Sequence, residues 1–126
     1  MRRPSRSTLA LGATAAALVT AASLQAAPAV TTLNASVGPD TGPSSPISLK
    51  KAGAKVSSLP AGTYTVKVND KTTEHNFYLF GPRVTIRTGV EFKGKRSFSV
   101  TFKKGKLYRF LCTVDPLTMK GRFRAT

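Results

Sequence analysis

The sequence predicts an all-β fold, an antiparallel Greek-key β-sandwich, and three observations predict it. Short segments alternate apolar and polar residues with a period of two, as in Thr63-Tyr64-Thr65-Val66-Lys67-Val68. Turn signals built on Gly and Pro separate those segments at regular spacing, at Pro60-Ala61-Gly62, Gly81-Pro82 and Lys103-Lys104-Gly105-Lys106. No window keeps helical apolar spacing long enough to specify a helix.

Each element follows from the same alternation. Tyr64, Val66 and Val68 share one face of the first clear strand. His75 to Phe80 reads as a second strand, closed by Gly81-Pro82. Phe98, Val100 and Phe102 alternate with Ser97, Ser99 and Thr101, and the Lys103 to Lys106 turn reads as a tight hairpin into Leu107 to Cys112. On that strand Tyr108, Phe110 and Cys112 lie on one side and Arg109 on the other, so Cys112 is expected to point inward. Arg122-Phe123-Arg124 is the last alternating strand.

The N-terminal residues read as an address. Arg2, Arg3 and Arg6 precede an apolar run from Leu9 to about Leu24, and Ala27-Pro28-Ala29 offers a small-x-small cleavage site before Val30. Residues 1–29 are therefore expected to be a cleaved signal peptide, with no transmembrane segment left after cleavage. The product would be exported, to the periplasm, the cell surface or the medium. Residues 30–46, rich in Thr, Ser, Gly and Pro, read as a flexible leader or irregular edge strand. Residues 47–126 form the single small domain, expected to be monomeric.

Charge narrows the partners without choosing one. The chain has 126 residues with 20 Lys and Arg against 5 Asp and Glu, a formal charge of +15. Without Arg2, Arg3 and Arg6, 17 cations remain against the same 5 anions, or +12. Such a surface attracts an acidic redox protein or an anionic surface. It equally serves solubility alone. Specific nucleic-acid binding is not expected, because the cations are scattered over strands and turns without a recognition helix or a named aromatic motif.

Chemistry concentrates in one late segment. Cys112 is the only cysteine and His75 the only histidine. A lone thiol in an exported chain is an inert buried side chain, a reactive or intermolecular thiol, or a metal ligand. Met119 favours the ligand reading, since thiolate, imidazole and a weak thioether make the donor set that suits copper. Taken singly, His75 is a half-buried strand histidine, Met119 core filler and Cys112 a small hydrophobe.

Enzyme readings find little support. There is no second histidine for a triad or a zinc protease, and Asp40, Asp70, Glu74, Glu91 and Asp115 show no paired-carboxylate spacing. Cys112 with His75 as a nucleophile and base lacks an orienting third group and an oxyanion hole.

Residues from about Ile47 to Thr126 resemble a small bacterial cupredoxin of the plastocyanin and azurin type. The resemblance rests on Gly62-Thr63-Tyr64-Thr65-Val66, on His75-Asn76-Phe77 followed by Gly81-Pro82, on Tyr108-Arg109-Phe110 leading into Cys112, and on Met119-Lys120-Gly121-Arg122-Phe123. It implies one copper ion held by His75, the Cys112 thiolate and an axial Met119, with Asn76 tying the two ligand-bearing segments together. Asp115 falls where the family has its second imidazole. That carboxylate is a harder donor, expected to favour Cu(II) and lower the potential, or else to act as a turn residue beside Pro116. The resemblance thus implies a secreted copper-binding or electron-transfer protein with an altered type 1 site. The alternative is a metal-free sandwich that docks an anionic cell-surface polymer or an acidic protein through its basic surface.

Overall fold

Burial on one side of each strand, dictated by the period-two patterning, organises the molecule. The structure, a computed structural model, describes residues 12–19, 29–41 and 45–126. Ten strands run β1 (Thr31–Val37), β2 (Ile47–Lys51), β3 (Ala54–Lys55), β4 (Ser58–Leu59), β5 (Gly62–Asp70), β6 (Tyr78–Gly81), β7 (Val84–Arg87), β8 (Gly94–Phe102), β9 (Leu107–Leu111) and β10 (Lys120–Ala125). Among the described residues there is no helix. The all-β expectation is met.

Two five-stranded sheets result, one ordered β3-β2-β1-β5-β8 and the other β4-β10-β9-β6-β7. They face each other across one core. Phe102 of β8 packs edge-on against Tyr108 of β9 at 4.7 Å and Phe123 of β10 at 5.0 Å between ring centroids. Leu33, Val66, Leu79 and Tyr108 are fully buried there. Burying each such side chain contributes roughly 1.5–3 kcal/mol.

Four details differ from the sequence expectations. Neither sheet is purely antiparallel, because β1 runs parallel to β5 and β10 parallel to β4. Residues 30–46 are not simply a leader or an edge: β1 is paired on both sides, with β2 and β5. Leu33, Ala35 and Val37 face the core while Asn34 is exposed, an alternation that small and hydroxylated residues disguise in the sequence. The Lys103 to Lys106 turn is no hairpin. It carries the chain from β8 in one sheet to β9 in the other, with Gly105 at φ +79°, a conformation that favours glycine, and its N–H donating to the Ala125 carbonyl at 2.7 Å. Finally, the strand expected from His75 begins at Tyr78, leaving His75, Asn76 and Phe77 in irregular backbone.

The expected signal peptide lies largely outside the described residues; residues 12–19 show no regular secondary structure. No helix among the described residues is long and apolar enough to cross a membrane.

One end of the molecule gathers the functional loops. Val37, Asp70 and Gly94 are register partners at the end of the first sheet, and Lys120, Leu111, Tyr78 and Arg87 form the matching row in the second. The segments that leave these rows, residues 38–41, 71–77, 88–93 and 112–119, therefore lie together.

Candidate metal centre

His75 sits at the middle of that end, with 13 % of its side chain exposed. Its Nδ1 is 3.5 Å from Cys112 Sγ and 3.2 Å from Asp115 Oδ2. On the opposite side of the ring, Nε2 is 3.4 Å from Asp40 Oδ1. The imidazole is thus held between two carboxylates, with the thiol against the same nitrogen as Asp115.

Cys112 follows β9 directly and is fully buried, as the alternation of Tyr108 and Phe110 requires. The Asn76 main-chain N–H points at its sulfur, at 3.5 Å. The Cys112 N–H donates to the Met119 carbonyl at 3.0 Å, and the Met119 N–H to the Asp115 carbonyl at 2.9 Å, so these bonds close the 112–119 loop on itself. Met119 is buried, immediately before β10. Asp115 is half exposed at the tip of the loop.

Asn76 locks the two segments together. Its Oδ1 accepts the Thr113 main-chain N–H at 2.8 Å and the Thr113 hydroxyl at 3.0 Å, and its Nδ2 donates to the Thr88 carbonyl at 3.0 Å. Thr88 continues the network. Its hydroxyl accepts the Phe77 N–H at 3.0 Å and donates to Asp70 Oδ2 at 3.3 Å. Every buried side-chain N and O among the described residues has a partner. The site is therefore rigidly framed by groups that do not themselves need a ligand.

Asp40 and Glu74 were not expected here. With His75 they form the group of donors that all lie within 4.8 Å of one another, whereas Cys112 and Asp115 each reach Nδ1 separately. Asp40 arrives through the parallel pairing of β1 and β5, which sets both strand ends side by side. No sequence pattern links residues so far apart. The Thr72 hydroxyl donates to Asp40 Oδ2 at 2.6 Å and accepts the Glu74 N–H at 3.0 Å. Hydrogen bonds from Ser45 and Thr72 hold the Asp40 carboxyl below its ordinary value, with a further contribution from His75. Asp70 shifts the other way. Its burial raises the carboxyl, outweighing the bonds from Thr72 and Thr88.

Taken pair by pair, the donor distances to Nδ1 are those a first-row metal ion would impose, although Cys112, His75 and Asp115 do not gather within 4.8 Å of one another as Asp40, Glu74 and His75 do. An ion about 2.0 Å from an imidazole nitrogen and about 2.3 Å from a thiolate, at a near-tetrahedral angle, holds those atoms about 3.5 Å apart. That is the separation of His75 Nδ1 and Cys112 Sγ. Two donors at about 2.0 Å each are held about 3.2 Å apart, the separation of Nδ1 and Asp115 Oδ2.

Comparison with models of protein families and with curated proteins finds no match to this chain.

Proposed function

We propose that this chain is an exported copper-binding protein with a Greek-key sandwich of cupredoxin type, suited to electron transfer at an altered type 1 site. One observation carries the reading: the single imidazole and the single thiol, 37 residues apart, meet at 3.5 Å on a scaffold whose other buried polar side chains, among the described residues, are already satisfied. His75 Nδ1 and the Cys112 thiolate are the two firm ligands, Met119 the thioether and Asp115 the carboxylate in place of a second imidazole. When bound, copper supplies one-electron redox chemistry. Soft sulfur donors beside imidazole select it over hard cations.

The remaining residues orient and tune. Asp40, against Nε2, fixes the ring and keeps the proton on that nitrogen, which leaves the Nδ1 lone pair for the ion. Asp115 is the harder donor and favours Cu(II) over Cu(I), lowering the potential relative to a site with two imidazoles. Asn76 holds the ligand loop through Thr113.

Titration of the purified protein with Cu(II) tests this directly. An intense thiolate-to-copper absorption band that disappears in Cys112→Ser and His75→Ala is expected. If copper affinity survives in both variants, the assignment is wrong.

A further inference from the structure

The five side-chain carboxylates lie off the outer faces of the sheets. Asp40, Glu74, Glu91 and Asp115 lie outside the strands, and Asp70 ends β5 with its side chain buried. Among the described residues the ion pairs within 4 Å are both made by His75. The outer faces of the sheets are thus free of carboxylates, yet they differ in kind. On the β3-β2-β1-β5-β8 sheet, one row across the strands reads Lys55, Lys50, Asn34, Lys67 and Ser97. That face carries Lys, Asn, Ser and Thr and no aromatic ring. On the second sheet the corresponding row reads Arg122, Arg109, Phe80 and Thr85.

Arg122 and Arg109 are exposed register partners on neighbouring strands. Like charges set directly opposite one another destabilise a sheet. An oxyanion between them reverses the sign of that interaction, and two guanidinium forks suit such an anion. Lys120, exposed on the same face of β10 two residues before Arg122, extends the charge. Between these cations, Phe80 and Pro116 lies a groove of about 640 Å³. Phe80 is stacked on Tyr78 with centroids 4.7 Å apart and planes 18° apart, and Arg87 covers the Tyr78 ring at 6.0 Å. Hence Phe80 is the one partly exposed ring at the groove, since Phe110, which also lines it, is buried. Single-stranded nucleic acid needs a succession of open rings for its bases; one ring beside a cluster of forks suits a sugar ring bearing an acid group.

We propose that this groove binds a linear acidic glycan, with a sugar ring on Phe80 and its carboxylates or sulfates on Arg109, Arg122 and Lys120. The interaction does not involve the metal centre, so it stands or falls separately from copper binding.

Calorimetric titration of the full chain with polygalacturonate and with dextran sulfate, in EDTA and about 0.15 M salt, tests it. Binding of at least one polymer is expected, and the tighter of the two identifies the anion. Arg109→Ser and Arg122→Ser should each weaken it about tenfold, and Phe80→Ala should weaken it as well. Circular dichroism melts should show the two arginine variants still folded, since both side chains are exposed. The double variant Lys50→Ser/Lys67→Ser removes twice the charge of either arginine variant, from the opposite sheet, and should leave binding unchanged. An equal loss in that control, tighter binding of oligo(dT), or no binding of either glycan overturns the proposal.

Discussion

Asn76 Oδ1 accepts two hydrogen bonds from a single residue, the main-chain N–H and the hydroxyl of Thr113, at 2.8 and 3.0 Å. This clamp ties the backbone before β6 to the loop after β9. The bonded residues are the immediate chain neighbours of His75 and Cys112.

Removing the clamp should therefore cost more than its hydrogen bonds. Asn76 is fully buried, and Asn76→Ala leaves the buried Thr88 carbonyl without its partner, at about 1–3 kcal/mol, and also removes both bonds to the exposed Thr113. Thr113→Val loses only the hydroxyl bond, about 1 kcal/mol. Urea denaturation of the two variants measures the difference; equal losses would show that the amide is not the organising group.

Copper should stabilise the folded chain in proportion to its donors. Added Cu(II) is expected to raise the melting temperature of the wild type, by mass action on the folded state, and not that of His75→Ala. Asp115→Asn should keep part of the rise. Asp115→His should strengthen the coloured site, and its failure to do so would mean that the loop holds this position away from the ion.

The contribution of Asp70 to the pH dependence of stability has a definite sign, opposite to that of Asp40. Because burial raises the Asp70 carboxyl above the ordinary value of 3.8, the folded state holds that proton more tightly than the unfolded state. Its stabilising contribution is complete below 3.8 and is lost as pH rises through the folded-state value. Asp70→Asn does not titrate. The stability of the wild type relative to this variant should fall from acid to neutral pH in urea melts, and a constant difference would refute the burial argument.

A methyl group at Gly121 has no room. A Cβ there would lie 2.2 Å from the Phe110 ring, which covers this glycine across the β9–β10 pair. Gly121→Ala should displace Phe110, which stacks on Phe77 at 5.6 Å, and destabilise by about 1–3 kcal/mol, as overpacking does. Thermal unfolding measures this, and tryptophan-free near-UV dichroism should report the disturbed aromatic packing.

The core aromatic at β8 should be the most sensitive position. Phe102 packs against Tyr64 at 5.5 Å, Tyr108 at 4.7 Å and Phe123 at 5.0 Å, joining the two sheets. Phe102→Ala should cost about 3–5 kcal/mol, and Phe102→Leu clearly less. Equal costs would show that ring packing contributes little.

Much of this was legible in the chain itself. Alternation in Thr63 to Val68 and in Tyr108 to Cys112 determined which side chains are buried, since a strand turns successive residues to opposite faces whatever its neighbours are. The uniqueness of His75 and Cys112 likewise singled out the residues worth testing. Partner choice is another matter. Backbone hydrogen bonding is blind to side-chain pattern, so only the folded sheets decided that β1 lies inside one of them, that β8 and β9 part company at Gly105, and that Asp40 and Glu74 flank the imidazole. The same assembly decided which cations share a face: Arg109 and Arg122 are neighbours because β9 and β10 run antiparallel in that register, a relation that strand pairing creates between residues the sequence keeps apart.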